Sequence, residues 1–304
     1  MKWPQSTYAA LRLLNKSSDL FIYNKKTFTY YLMHIFGRKQ LKKWIACRLE
    51  QKIRDLRPDA IVFIGAFLMP QELFDVLKKF PNIKKAGWCG DKFDTSCKSR
   101  ADCLDILFCT DYGFKQQADT FNCKFVYLPL CAKVTQNYTN KKTLPPFFAG
   151  GLNSERKRYL SAIQSKCLLY LLHCPKGIFP QHEVHYHAIP HELMLKYIGQ
   201  SICPINIGLS VNNISGLNFR VFETGACGGL IMVNSECTDI SKCYFIGTEA
   251  VVYSSPEQLN DLVTDATAHP EKYEKIAKAG YERTLQEHTY EKRIQQMLAF
   301  LQQS

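Results

Sequence analysis

Apolar residues in the first half of the chain alternate between two patterns, which predict strands and helices in turn. Nearly continuous apolar runs rich in Val, Ile, Phe and Tyr are typical of parallel strands that are covered on both faces. Stretches with helical spacing, such as LFDVLKKF, separate these runs. We therefore predict a doubly wound α/β domain. Its strands are expected to begin near Asp19, Asp59, Ile83, Asp105 and Lys124.

The second half repeats this alternation and predicts a second domain of the same class. Its strand-like runs are PFFAGG, KCLLYLLHC, EVHYHAI, CPINIGL, GGLIMVN and EAVVYSS, and its helical runs are SERKRYLSAI, HELMLKYIGQ and SPEQLNDLVTDAT. A polar, turn-prone stretch at residues 133–146 lies between the two series. We predict domains at residues 1–145 and 146–285, with a C-terminal helix at 286–304 that either ends the second domain or packs back on the first.

Residues 37–57 combine helical spacing of apolar residues with many Lys and Arg on the other face. Such a helix either packs its apolar stripe on a protein core or lies on an anionic membrane leaflet. Packing on the N-terminal sheet is the more common arrangement, and we favour it.

Composition indicates a globular chain that remains in the cytoplasm. Of the 304 residues, 46% are hydrophobic and 22% are charged. The longest apolar run, Ala60 to Met69, is far shorter than a membrane-spanning helix requires, and the N-terminus lacks the pattern of a secretory signal. The thirteen cysteines lie largely in apolar segments without a CxxC pair, so we expect reduced core thiols.

The net charge of +12 is concentrated in the first half. An uneven basic charge of this kind indicates contact with an anionic partner, such as a membrane surface, an acidic saccharide or a phosphate-bearing lipid. A merely solvated basic face is the equal alternative. Nucleic acid is the least favoured partner, because no RNA-binding motif accompanies the charge. The protein is expected either free in the cytoplasm or peripheral at the inner face of a membrane.

The segment GLNFRVFETGACGG, residues 216–229, carries the chemistry of a nucleotide site. It predicts a loop, a short helix and a turn of small residues before the strand LIMV. Backbone N–H groups at a helix start bind phosphate oxygens, and Arg220 supplies positive charge. Glu223 can accept hydrogen bonds from ribose hydroxyls. A capping or surface-paired carboxylate is the alternative for Glu223.

This segment resembles the donor-site signature of the CgeB-like glycosyltransferases, which have the GT-B fold. FFAGGLNSERKRYL, WCGDKFD and the C-terminal run containing HTY at 288–290 are similar to further segments of that family, in the same order. The resemblance implies two Rossmann-like domains facing a cleft, with the nucleotide-sugar donor on the C-terminal domain. GT-B chains usually begin with a strand and a glycine turn, whereas this sequence opens on a predicted helix. Either that first strand is absent or the N-terminal domain is reduced.

The resemblance also implies roles for individual residues. Glu223 would hold the ribose, and Arg220 with the turn at 225–228 would hold the diphosphate. The neighbouring glycine loop with Arg156 would close over the phosphates, and residues 187–190 would flank the base. The predicted donor-binding residues are Gly150, Gly151, Arg156, His187, Ile189, Pro190, Asn218, Arg220, Glu223, Thr224, Gly225 and Gly228.

The catalytic residues are predicted to be Arg220, which stabilises the leaving diphosphate, and Asp91 as the candidate base. Asp94 is the substitute for Asp91, and a turn-forming aspartate is the alternative reading of both. Ser215 stands where many retaining enzymes of this fold have a first glutamate, which argues against that retaining chemistry. Four histidines at 182, 185, 187 and 191 suggest a metal. Their spacing supplies no third ligand in a fixed geometry, so we expect no metal and no cofactor.

Taken together, the sequence predicts transfer of a sugar from a UDP-sugar or other nucleoside diphosphate sugar. The acceptor would be a saccharide, a lipid-linked acceptor or another acceptor, as in surface glycan assembly. Two alternatives stay open: a nucleotide-sugar epimerase or hydrolase of the same fold, and a non-catalytic nucleotide-sugar-binding subunit.

Overall fold

The computed structural model of the chain describes residues 3–14, 17–23, 30, 37–135, 138–139, 141–208 and 213–303. Its internal contacts divide the chain into two compact units. The N-terminal unit comprises mainly Lys2–Pro129 and Ile294–Ser304, and the C-terminal unit mainly Leu130–Ser210 and Ile214–Arg293. That these units serve as acceptor and donor domains stays a prediction.

Four parallel strands form the sheet of the N-terminal unit in the order β1-β2-β3-β4. Consecutive strands are neighbours, and short helices connect them. The strands are β1 (Ala60–Ile64), β2 (Lys84–Cys89), β3 (Ile106–Cys109) and β4 (Lys124–Tyr127). The helices are α1 (Trp3–Leu13), α2 (Arg38–Leu56), α3 (Gln71–Leu77), α4 (Lys98–Ala101) and α5 (Lys115–Ala118), with 3-10 turns at Ala66–Leu68, Thr95–Cys97 and Tyr112–Phe114.

The strand predicted to begin at Asp19 is wrong for Asp19 to Tyr23, and its last residue, Asn24, lies outside the described residues. The described part of the segment forms no ladder with the sheet, and Phe21 and Tyr23 pack against the core cluster that contains residues of α2 and of the sheet. Asp19 forms an ion pair with Lys52 at 2.9 Å, and the Arg48 guanidinium lies 5.9 Å from the centre of the Phe21 ring.

Helix α2 packs its apolar stripe into the core of the N-terminal unit. Leu41, Ile45, Leu49 and Ile53 are buried in one cluster with residues of β1, β2 and β3. The prediction that this stripe faces the protein is therefore confirmed for these four residues, whereas Leu56 in the last turn of α2 is 50% exposed.

The C-terminal unit contains two small parallel sheets, in the orders β5-β6-β7 and β8-β9. The predicted strand at CPINIGL pairs with β5 only locally: Phe147 N–H donates to Cys203 O, and Ile205 N–H donates to Phe147 O. The strands are β5 (Phe147–Gly151), β6 (Leu168–Leu172), β7 (Glu183–His185), β8 (Met232–Asn234) and β9 (Val251–Tyr253).

Seven helices of the described chain follow β5, and polar caps begin several of them. Asn153 accepts a hydrogen bond from Arg156 N–H at the start of α6, and Ser255 accepts one from Gln258 N–H at the start of α10. The helices are α6 (Ser154–Ala162), α7 (His191–Gln200), α8 (Phe219–Ala226), α9 (Ile240–Cys243), α10 (Pro256–Ala268), α11 (Pro270–Glu287) and α12 (Tyr290–Gln303).

His288, in the HTY run, joins the last two helices to the rest of the C-terminal unit. Its Nε2 lies 2.8 Å from Cys243 O, and its Nδ1 lies 2.7 Å from Arg293 Nη2. Arg293 donates to Nδ1, so the neutral ring carries its proton on Nε2 and donates to Cys243 O. Burial and the Arg293 charge lower the pKa of His288 to about 3. The residue is therefore a buried, neutral connector.

All thirteen cysteines are free thiols, and burial raises the pKa of several, including Cys89 and Cys167 to about 12. No helix in the described part of the chain has the length and apolar content needed to cross a membrane.

Candidate functional site

The N-terminus of α8 lies beside the carboxyl-end side of β5 in the C-terminal unit. Asn218 caps the helix by accepting a hydrogen bond from Val221 N–H, and its amide donates to Asn206 Oδ1 at 3.1 Å. The Asn206 segment continues the stretch that pairs with β5. In parallel α/β sheets ligands bind at this edge, where helix N-termini present free N–H groups.

Glu223 is buried on α8, with 6% of its side chain exposed, and both carboxylate oxygens face positively polarised groups. Oε1 lies 2.7 Å from His191 Nε2, and Oε2 lies 3.8 Å from Arg220 Nε. The His191 side chain is 37% exposed, so solvent reaches the group next to the carboxylate. Glu223 and Arg220 therefore form a pair, and His191 contacts the other carboxylate oxygen.

Arg156 lies at the same edge and is held by backbone carbonyls. Its Nη1 donates to Gly151 O at 2.8 Å, and its Nε and Nη2 donate to Ile207 O at 3.2 and 3.1 Å. The pKa of Arg156 is lowered, first by burial and next by the positive charge of Arg220. The two guanidinium groups are therefore close enough to repel one another.

Arg220 is also largely withdrawn from water. Burial lowers its pKa, and the charge of Glu223 opposes that shift. Its Nη1 contacts the sulfur of Met194 on α7. The charge of Glu223 acts on Arg220, and the charge of Glu155 acts on Arg156. Two partly buried guanidinium groups beside the free N–H groups of a helix N-terminus suit an anion.

The predicted glycines fall into two groups. A methyl group on Gly151 would meet no atom within 4 Å, so space is open beside it, whereas one on Gly150 would lie 3.1 Å from Arg156 Nη1. A methyl group on Gly225 would collide with Thr284, and Gly228, at φ +69°, packs against Tyr138. These last two positions thus have a packing reason to be glycine. The predicted Thr224 is buried beside Gly229.

The predicted base-flanking residues lie on the loop between β7 and α7. His187 is exposed and places Nδ1 3.0 Å from Ala188 O. Ile189 packs against the cluster that contains Phe147, and Pro190 is the N-cap residue of α7. This loop leads directly into His191, so it adjoins the Glu223 pair through the chain.

Asp91 and Asp94 belong to the N-terminal unit. Asp91 is half-buried, and its carbonyl oxygen accepts a hydrogen bond from the Cys89 thiol at 3.3 Å. Asp94 is exposed and caps the 3-10 turn at Thr95–Cys97, where its Oδ1 accepts hydrogen bonds from Ser96 N–H and Oγ–H. The turn-forming role is thereby favoured for Asp94.

Ser215, which stands where many retaining enzymes of this fold have a glutamate, lies in the C-terminal unit. Its Oγ donates a hydrogen bond to Asp239 Oδ1.

The four histidines occupy three environments, because the ring centres of His185 and His187 lie 5.8 Å apart and both rings contact Tyr170. His182 is buried, with Nε2 3.2 Å from Leu160 O, and burial lowers its pKa. His185 stacks on Tyr170, with ring centres 4.4 Å apart. His191 is engaged with Glu223. Among the described residues, no three His, Cys, Asp or Glu side chains are grouped to hold a metal.

The sequence reasoning missed the role of His191 beside Glu223. It placed His191 only among candidate metal ligands, because the two residues are 32 positions apart and no periodicity relates them. The position of His191 at the start of a predicted helix was the one available signal, since such positions face the ligand edge of a parallel sheet.

Comparison with protein families finds one match in the C-terminal half of the chain. Residues 159–299 match the family described as glycosyl transferase-like. This range contains α7 and α8, and with them the Glu223, Arg220 and His191 group. No curated protein sequence matches the chain.

Solved structures similar to this one share its fold at low sequence identity. A glycosyltransferase from Rickettsia africae is 10% identical, with a TM-score of 0.66 over 97% of this chain and 87% of that one. HepE from Anabaena, in complex with UDP and glucose, is 10% identical, with a TM-score of 0.66 over 98% and 89%. A sucrose-phosphate synthase from Thermosynechococcus elongatus is 11% identical, with a TM-score of 0.62 over 91% and 79%. The chain has the GT-B fold, as predicted.

Proposed function

We propose that the protein is a glycosyltransferase that binds a nucleotide-sugar donor, most simply a UDP-sugar, on its C-terminal unit. The observation that carries this proposal is the group of Arg156, Arg220 and Glu223 at the N-terminus of α8. The match of residues 159–299 supports the reaction class. The similar Anabaena structure contains UDP and glucose, which supports the choice of nucleotide.

The diphosphate is placed between the two guanidinium groups and the first turn of α8. Mutual repulsion and burial destabilise two neighbouring cations, and a dianion between them relieves both. Negative charge grows on the leaving diphosphate during transfer, so the same arginines stabilise the transition state. Gly151, with open space beside it, lets the diphosphate approach the backbone.

The ribose is assigned to Glu223, with His191 as a positioning residue. A buried carboxylate binds two vicinal hydroxyls well only when its plane is fixed. The hydrogen bond to His191 and the pairing with Arg220 fix that plane. The base then lies toward the loop that contains His187, Ile189 and Pro190.

On the acceptor side, Asp91 is proposed as the base that removes the acceptor hydroxyl proton in an inverting transfer. Ser215 in place of a glutamate supports inversion over the retaining chemistry that uses that glutamate. A saccharide or lipid-linked acceptor, and membership of the CgeB-like branch, are part of the same proposal.

Transfer is expected to need no metal ion, because the arginines and the helix N-terminus supply the positive charge that Mg²⁺ supplies elsewhere. A chelator such as EDTA should leave both nucleotide binding and transfer unchanged. Loss of either one on chelation, restored by Mg²⁺ or Mn²⁺, would contradict this part of the proposal.

Nucleotide binding tests the donor site, and product analysis tests the reaction class. UDP at about 100 times its Kd should stabilise the folded protein by about 2.7 kcal/mol and raise its melting temperature, whereas uridine without phosphates should not. Incubation with a UDP-sugar and a mixture of glycan acceptors should then release UDP only when an acceptor is present. Conversion of the donor without acceptor would favour an epimerase or hydrolase, and UDP binding without any turnover would favour a non-catalytic subunit.

A further inference from the structure

The exposed side of α2 in the N-terminal unit carries a dense positive charge. Residues 38–57 contain eight Lys or Arg and two Asp or Glu. The helix has 19 residues and is therefore about 28 Å long. Its opposite side is buried in the core, so the basic residues are held at fixed positions around the exposed side of the helix.

Part of this charge is neutralised within the protein. Lys42 pairs with Glu72 at 3.8 Å, Lys52 with Asp19 at 2.9 Å, and Arg54 with Glu50 at 2.6 Å. These pairs account for three of the eight cations of residues 38–57.

Arg38, Lys39, Lys43 and Arg48 form no ion pair with a carboxylate anywhere in the described chain, and all four are exposed. The residues outside the described ranges include no Asp or Glu. We call these four residues the basic row. Its charge has no internal counterpart.

The basic row also includes the first turn of the helix, where positive charge is unfavourable. The helix dipole presents positive potential at its N-terminus, and α2 has no acidic residue in its first turn. Arg38 and Lys39 therefore cost the helix stability, so an external anion would remove that cost.

A shallow groove beside α2 adds apolar surface to the basic row. Leu20, Phe21 and Ile22 line the groove together with Arg48, Gln51, Lys52 and Asp55 of α2. Lys52 is paired with Asp19, and Asp55 accepts a hydrogen bond from Gln51. The Arg48 guanidinium lies 4.9 Å from the Trp44 ring centre and 5.9 Å from that of Phe21. The groove thus combines hydrocarbon side chains with a cation, which suits an amphipathic anion.

We propose that the basic row and this groove bind the surface of an anionic phospholipid membrane. The buried apolar stripe excludes insertion of α2, so the attraction is electrostatic, with apolar contact limited to the groove. Nucleic acid fits less well, because no RNA-binding motif accompanies the charge. This surface acts independently of the donor site.

The test is flotation of the full-length protein with vesicles. Vesicles of phosphatidylcholine alone are compared with vesicles in which about one quarter of the lipid is phosphatidylglycerol, at about 0.05 M and about 0.5 M NaCl. The protein is expected to float with the anionic vesicles at low salt only.

The test variant is Arg38→Gln/Lys39→Gln/Lys43→Gln, and the matched control is Lys275→Gln/Lys278→Gln/Lys292→Gln on α11 and α12. Both remove three exposed positive charges. With about a five-fold contribution per cation, the test variant should bind anionic vesicles on the order of 100-fold more weakly. The control should bind like the unmodified protein. Because the test variant removes cations from a helix N-terminus, it should fold at least as well, as its melting temperature will show.

Three results would overturn the proposal. The first is that the unmodified protein does not float with anionic vesicles. The second is that the test variant and the control bind anionic vesicles equally. The third is that a soluble polyanion such as heparin or RNA captures the protein under conditions where vesicles do not bind it.

Discussion

Replacement of Glu223 by glutamine is the sharpest perturbation of the candidate donor site. The amide has almost the same shape, yet it removes the negative charge and turns one acceptor into a donor. In the folded protein Oε1 is 2.7 Å from His191 and Oε2 is 3.8 Å from Arg220. The substitution therefore leaves a partly buried guanidinium without its carboxylate.

The magnitude follows from the two ribose hydroxyls. A hydrogen bond to a charged group contributes about 1.5–3 kcal/mol, so weakening two such bonds costs about 3 kcal/mol, or more than 100-fold in UDP affinity. The folded state should also lose about 1–3 kcal/mol, because Arg220 keeps its charge in a poorly solvated place.

Calorimetric titration with two nucleotides separates ribose binding from a general loss of the site. UDP affinity should fall in Glu223→Gln. The second nucleotide, 2′,3′-dideoxy-UDP, lacks the ribose hydroxyls and should bind the unmodified protein more weakly than UDP does. Its affinity should be the same for the variant and for the unmodified protein. Glu271→Gln is the matched control, since Glu271 faces His269 at 3.8 Å in an exposed pair on α11. Unchanged UDP affinity, or an equal loss for both nucleotides, would refute the assignment.

Four further substitutions test other parts of the structure. Gly151→Ala should leave the melting temperature unchanged, because the added methyl meets nothing within 4 Å, but should weaken UDP binding in titration; equal affinity would exclude Gly151 from the phosphate site. Gly225→Ala should destabilise the fold by about 1–3 kcal/mol through collision with Thr284, seen as a lower denaturation midpoint, and full stability would contradict that packing. His191→Ala should raise the KM for the donor about ten-fold at unchanged kcat. His191→Gln, whose amide can still donate to Glu223, should recover part of the lost donor affinity. A fall in kcat alone would argue against a positioning role for His191. The pKa of His288 is about 3 in the folded protein and near 6.5 in the unfolded chain, so its contribution to stability is present above pH 6.5. The free energy of unfolding should fall by about 2 kcal/mol between pH 6.5 and 5, because the unfolded chain takes up a proton there. His288→Gln should flatten this pH dependence in denaturant titrations, and an equal slope in both proteins would refute the argument.

The strands and helices with strong periodicity were predictable from the sequence because burial alone determines them. Runs such as Ile106–Cys109 are apolar on both faces, and the stripe of α2 has helical spacing. The prediction of a strand at Asp19 was wrong because the apolar residues of this segment pack beside α2. A local apolar pattern does not distinguish a strand from an extended segment that packs on a helix.

The site was predictable only where its residues are close in sequence. Arg220 and Glu223 are three positions apart on one helix, so their pairing follows from helical geometry. His191 and Arg156 reach the same place through tertiary packing, which a single sequence does not encode as a local signal. Arg156 was reached by resemblance to a known family and His191 by the structure alone.

The N-terminal unit includes Ile294–Ser304, the last residues of the chain. Within that unit Phe300 contacts Phe108 of β3 edge to face, with ring centres 6.2 Å apart, and Lys124 lies over its ring. On the ribosome the half of the protein that is made first therefore stays unfinished until Ile294–Ser304 has been synthesised. A premature stop near position 293 would damage the part of the molecule that was synthesised earliest.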